Sequence, residues 1–145
     1  MTSHKNKAYV YDDGGRKAAG FKGHTGDCAC RAIAIATGLP YRTVYDDLFV
    51  VCQNRRFKRG RSHPRTGVHK KVIREFMAKL GWRWTPIMGI GTGCKVHLRP
   101  DELPPGRLVL SLSKHYAAVI DGVLHDTYDC ARDGTRCVYG YYTNA

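Results

Sequence analysis

The sequence predicts an α+β fold in which N-terminal helices pack on a C-terminal antiparallel sheet. Two observations carry this expectation. Between residues 28 and 80 the apolar residues recur at helical spacing, whereas from Arg107 onward they alternate or run together in short segments bounded by turns. Helices first and strands second is the order of an α+β chain, not the alternation that builds a parallel sheet. At 145 residues and 43% hydrophobic content, residues 1–145 are expected to form one domain with a continuous core.

Each element has its own reason. Ala8 to Tyr11 reads as a short strand, and Asp12 to Gly26, with five glycines, as a loop. A helix runs from about Cys28 to Thr37, where Ala29, Ala32, Ile33 and Ala36 recur at helical spacing; Asp27 is its expected N-cap and Gly38 its stop. Val44, Leu48, Val51 and Cys52 mark the apolar face of a second helix from about Tyr41 to Asn54. Val68, Val72, Ile73, Phe76, Met77 and Leu80 give the clearest amphipathic stripe, a third helix ending at Gly81. Strands follow at Trp82 to Ile87, Arg107 to Ser113, His115 to Ile120, Val123 to Tyr128 and Cys137 to Tyr142. Asp121-Gly122 joins two of them as a hairpin signal, because a two-residue turn of the favoured type needs positive φ at both positions.

Charge is the second feature. Lys and Arg number 24 against 12 Asp and Glu, a formal net charge of +12. The surplus is concentrated: Arg55, Arg56, Lys58, Arg59, Arg61, Arg65, Lys70 and Lys71 occupy a run without acids, broken by Gly60, Pro64 and Gly67. Such a run is an exposed loop leading into a helix, either simply solvated or a site for phosphates, nucleic acid or another polyanion. No nucleic-acid motif accompanies it. Nothing at the N-terminus reads as a secretory signal and no run reaches membrane-spanning length, so a cytoplasmic protein with no membrane partner is expected. The six cysteines are therefore expected to be reduced thiols. Their spacing argues against zinc, since Cys28 and Cys30 are two apart and the others are single, although His24 or His125 could complete an irregular site. No metal and no cofactor is assigned.

The chemistry-bearing residues lie far apart in sequence. Cys28 opens a helix, where unpaired amide N–H groups and the positive end of the helix dipole favour thiolate over thiol. If Asp121 and Gly122 are the two turn residues, Ile120 pairs with Val123, Ala117 with Asp126 and His115 with Tyr128. His115 and Asp126 then share a face as diagonal neighbours, while His125 pairs with Ala118 on the opposite face. Asp126 is thus preferred over Asp121 and His125 as the partner of His115. Cys30 is expected to face away from Cys28 and to be structural, with a resolving-thiol role the alternative. Arg31 is expected to pair with a carboxylate inside the fold, and Tyr41, Tyr45, Tyr116, Tyr128, Tyr139, Tyr141 and Tyr142 to serve core and rim.

The stretch Asp27-Cys28-Ala29-Cys30-Arg31-Ala32-Ile33-Ala34-Ile35-Ala36-Thr37-Gly38, followed later by His115 to Thr127 with Ala118-Val119, Asp121-Gly122 and Asp126-Thr127, resembles the papain-like cysteine peptidase superfamily, and most closely its small bacterial and phage branch. The resemblance implies a papain-like fold and a thiol-dependent hydrolase acting on a peptide, isopeptide or amide bond of a peptide or protein substrate. Its catalytic triad would be Cys28 as nucleophile, His115 as base and acid, and Asp126 as the residue orienting the imidazole. The chain departs from the family where a glutamine commonly stands about six residues before the cysteine; Lys22 is there, with His24 and Thr25 nearer. These three are the candidate oxyanion donors beside the Cys28 N–H. Loss of one such donor costs roughly two to three orders of magnitude in rate, so the alternative reading is a basic nucleic-acid- or polyanion-binding protein on an inactive peptidase-like scaffold.

Overall fold

The computed structural model describes residues 8–22, 26–53, 62–65, 67–89 and 91–144. Three helices, α1 (Cys28–Thr37), α2 (Tyr41–Gln53) and α3 (Lys70–Lys79), accompany six strands: β1 (Tyr9–Tyr11), β2 (Arg83–Pro86), β3 (Arg107–Leu112), β4 (His115–Ile120), β5 (Val123–Asp126) and β6 (Gly140–Thr143). The strands form one sheet in the order β1-β5-β4-β3-β6-β2. A mixed helix-and-sheet architecture of the α+β kind is thus present.

The helices form where the apolar spacing places them. Ala29, Ala32, Ile33 and Ala36 of α1 are all buried, and small side chains let the helix lie close on the sheet, chiefly over β4. Gly38 ends α1 in the left-handed conformation at φ 78°, donating its N–H to the Ala34 carbonyl, which is the role a glycine plays without steric cost. Val44 and Leu48 of α2 and Val72, Ile73 and Met77 of α3 join the same core. Within the sheet, period-two alternation divides the side chains: Val109, Ala118 and Tyr142 meet the helices, while Leu108, Leu110, Val119 and Leu124 pack with Leu98, Leu103 and Val138 on the other face.

The hairpin register is the one the turn chemistry predicts. Ile120 pairs with Val123, Val119 with Leu124 and Ala118 with His125. Asp121 and Gly122 both have positive φ, 48° and 82°, and the Asp121 carboxylate accepts the Gly106 N–H at 2.8 Å.

Four expectations are corrected. The sheet is mixed, not antiparallel, because β1 runs parallel to β5, with Tyr11 opposite Asp126; no local signal marks that long-range pairing. The last strand begins at Gly140, not Cys137, because the Tyr139 carbonyl is taken by the N–H groups of Ile87 and Met88 and regular pairing starts beyond it. Cys94 and Cys137 form a disulfide, so not all six thiols are reduced; the bridge of Cys137 to His97 brings the two cysteine Cα atoms to 5.7 Å, inside the range a disulfide needs. Asp27 precedes α1 but makes no capping bond with its side chain, since that carboxylate is engaged elsewhere. Among the described residues, no helix is long and apolar enough to cross a membrane.

Candidate active site

Three elements meet at one end of the sheet. The hairpin joining β3 to β4 has two turn residues, Ser113 and Lys114, and His115 is the first residue after it, paired with Leu112. Lys114 takes positive φ, 54°, which lets the chain reverse tightly at this point. Asp126 is the last residue of β5, and its Oδ2 lies 2.7 Å from His115 Nε2. With Nε2 so engaged, Nδ1 is the ring nitrogen left for a second partner. The Cys28 thiol, at the first position of α1, lies against the imidazole and beside the Tyr116 backbone, and the Cys130 thiol also lies against the ring.

Burial and charge tune these groups in a consistent sense. Burial alone would raise the Cys28 thiol, but the hydrogen bond to His115, the imidazolium charge, the Tyr116 N–H and the Arg31 charge together hold it below the ordinary thiol value. Burial would likewise discourage a charge on His115; hydrogen bonds to Asp126, Cys130 and Cys28 outweigh it and push the imidazole up to about 11. Asp126 is held below the usual carboxylate range: burial opposes ionisation, and the His115 contact, the Thr127 N–H and Arg31 favour it more strongly. All three shifts run in the sense that favours a thiolate facing an imidazolium, with a carboxylate behind it.

A buried framework fixes the carboxylate. Asp126 Oδ1 accepts the Thr127 N–H at 2.7 Å and faces the Arg31 guanidinium at 3.5 Å. Arg31 also pairs with Asp27, whose other oxygen accepts the Tyr41 hydroxyl at 2.5 Å and lies 3.5 Å from Arg16 Nε. The Asp27 carboxylate thus turns inward to this network instead of capping α1, and Arg31, spaced one turn beyond it, ties the start of α1 to the end of β5. From the other side β1 holds the Asp126 backbone: its carbonyl accepts the Asp12 N–H at 2.9 Å and the Tyr9 hydroxyl at 3.2 Å.

The other sequence-predicted residues fall as follows. Cys30 is fully buried, its thiol pushed up to about 12 by burial, and is structural. His125 turns to the opposite side and meets Asp12 at 3.1 Å. Lys22 is exposed, and its carbonyl accepts the Arg65 guanidinium at 2.6 Å. Lys70 lines a cleft on the helix side of the sheet, and Lys71 is exposed on α3. His24, Thr25, Arg55, Arg56, Lys58, Arg59 and Arg61 lie outside the described residues. The Cys28 N–H is one of the first-turn amides that helix geometry leaves without a carbonyl partner.

Two residues of the site were not anticipated. Cys130 is buried against His115 and Asp126, its thiol raised first by burial. Arg136, also buried, donates to the Ser113 carbonyl at 2.7 Å and reaches the Cys130 carbonyl at 3.5 Å, so it joins the turn before His115 to the segment behind it. Neither sits in a local pattern; both are brought in by the loop from Tyr128 to Tyr139. His115, Asp126 and Cys130 have the residue types of a metal-ligand set, with ligand atoms within 4.8 Å of one another. The 2.7 Å between Nε2 and Oδ2 is nevertheless a hydrogen bond, shorter than the ~3.3 Å that separates two ligands on a tetrahedral zinc with bonds of about 2.0 Å. Set against family models, curated proteins and solved structures, the chain finds no match.

Proposed function

We propose that the protein is a cysteine-dependent hydrolase of the papain-like kind, cleaving a peptide, isopeptide or amide bond of a peptide or protein substrate. The observation that carries the reading is the convergence of Cys28, His115 and Asp126 from α1, β4 and β5, with the thiol lowered and the imidazole raised. In the first half-reaction the Cys28 thiolate attacks the carbonyl carbon, and the oxyanion so formed draws on the helix-start N–H groups, the Cys28 N–H among them. Collapse of that intermediate breaks the carbon–nitrogen bond. The His115 imidazolium gives its proton to the departing amine, leaving a thioester on Cys28. In the second half-reaction neutral His115 takes a proton from water, hydroxide attacks the thioester, and the carboxylic product leaves as the thiolate re-forms. Asp126 holds Nε2–H and so keeps Nδ1 facing the sulfur and the leaving group.

The decisive experiment is alkylation of the native protein by iodoacetamide at neutral pH, with mass spectrometry to locate the modified cysteine, in wild type and His115→Ala. Cys28 should be modified well ahead of Cys30, Cys52 and Cys130, and its rate should fall by roughly tenfold or more when the imidazole is removed, one pKa unit being a tenfold change in thiolate. Equal, slow labelling of all free cysteines would overturn the reading. The formal charge of +12 favours a second one, in which the basic run binds a polyanion.

A further inference from the structure

On the helix face of the sheet lies a cleft of about 340 Å³, lined in part by Tyr116, the residue that follows His115 on β4. Tyr116 ties the cleft to the candidate site, since it lines the cleft and its backbone stands beside the Cys28 thiol. Trp84, Tyr139 and Tyr142 form further walls, and Lys70 and Arg74, one turn apart on α3, supply two exposed cations. The Arg74 guanidinium carbon lies 5.8 Å from the Trp84 ring centroid and Lys70 Nζ lies 5.8 Å from that of Tyr139. Arg74 also lies near the Tyr142 hydroxyl. No carboxylate is among the described residues lining the cleft.

Two like charges at i and i+4 repel, and an anion between them turns that repulsion into two attractions. The aromatic walls offer apolar surface beside those cations, while the planar guanidinium is shaped for a two-oxygen partner. We infer that this cleft is the substrate subsite beside Cys28 and that it selects a peptide carrying a glutamate or aspartate side chain next to the bond attacked. The volume accommodates a whole side chain, with the methylene stem against the rings and the carboxylate between Lys70 and Arg74. This inference rests on the hydrolase reading and names the class of substrate that the same site takes.

The test uses peptidyl vinyl sulfones that alkylate the active thiol, identical except for Glu, Gln or Lys at the residues preceding the electrophile. The quantity read is the ratio of labelling rates at Cys28 for the Glu and Gln probes within each protein, so that any general change in the thiol cancels. In wild type the ratio should be about tenfold or more, the scale of one charged hydrogen bond. It should approach one in Lys70→Gln/Arg74→Gln and should swing toward the Lys probe in Lys70→Glu/Arg74→Glu, with near-ultraviolet circular dichroism reporting an intact fold. The charge-reversed variant gains a preference, which a damaged protein would not show. A ratio near one in wild type, a preference that survives both double substitutions, or no reaction of any peptidyl probe, in each case while iodoacetamide still singles out Cys28, overturns the subsite. Loss of selective iodoacetamide labelling overturns the hydrolase reading and the subsite with it.

Discussion

Two thiols lie against the His115 imidazole, and their surroundings set them apart. Cys28 is partly exposed at a helix start, beside the Tyr116 backbone, so a negative charge there would be met by amide dipoles and by the imidazolium. Cys130 is buried, and burial together with the neighbouring Asp126 carboxylate outweighs its contact with the imidazole and raises its thiol. The difference depends on Asp126, which makes His115 a strong base. Asp126→Asn keeps the shape and removes the charge, so the imidazolium loses its support, the thiolate loses the imidazolium, and the Cys28 value moves back up. The acid edge of the iodoacetamide pH profile should therefore rise, and labelling at neutral pH should slow by roughly tenfold. The same carboxyl makes a stability prediction. Its folded pKa lies below its unfolded value of about 3.9, so its contribution is complete above that value and is lost as pH falls through the folded pKa. In urea melts, wild type should exceed Asp126→Asn by roughly 1–3 kcal/mol at neutral pH, and the gap should close in acid below about pH 4. A gap that holds constant into acid would assign the loss to packing instead.

At the scale of elements, the site depends on strands that share few local signals. The α1 segment and the β4–β5 hairpin were legible because their determinants are local: alanines and isoleucines at helical spacing, Gly38 as a stop, and Asp121-Gly122 as a two-residue turn that fixes which residues share a face. The pairing of His115 with Asp126 followed from that register. What did not follow was anything set by distant chain: the parallel seat of β1 on β5, the disulfide between Cys94 and Cys137, the inward turn of Asp27, and the arrival of Cys130 and Arg136. Arg74 was missed for a related reason, since its spacing of four from Lys70 is ordinary on a solvated helix face and gains meaning only when Trp84 and Tyr142 stand opposite. The strand β6 that carries Tyr142 begins at Gly140, and here the absence of a side chain is required. A Cβ at residue 140 would stand 2.4 Å from the Trp84 ring and 2.8 Å from the Thr85 carbonyl. Trp84 packs on Tyr142 with centroids 4.8 Å apart, so it cannot yield without moving the cleft wall. Gly140→Ala should cost about 1–3 kcal/mol in denaturant unfolding and shift the tryptophan fluorescence. Unchanged stability and emission would mean that β2 and β6 separate more easily than their packing indicates.

Across the whole molecule, the sheet separates a helix-side core, with Ile33, Leu48 and Ile73, from a second core around Leu108, Leu110 and Leu124. Cys28 enters from the helix side, whereas His115 and Asp126 continue the alternation of Ala117 and Leu124 on the other side, so the thiol and imidazole meet at the end of the sheet where the two cores approach. The charge of the chain acts on whatever approaches the site. With +12 overall and a run from Arg55 to Lys71 that contains no acid, the field favours acidic partners before any contact forms. This gives the polyanion reading a quantitative form. Binding to duplex DNA should weaken linearly in log–log terms as salt rises, each neutralised phosphate contributing a slope of about −0.9. Replacing Arg55, Arg56, Lys58 and Arg59 by glutamine should flatten that slope by up to about 3.6, four times the single-phosphate value, if all four side chains meet phosphates. A slope left unchanged would show that the run contributes no direct contact. If the variant also kept the preference of Cys28 for the Glu over the Gln probe, the attraction would reside in the Lys70 and Arg74 cleft alone, and the basic run would be a solvated surface.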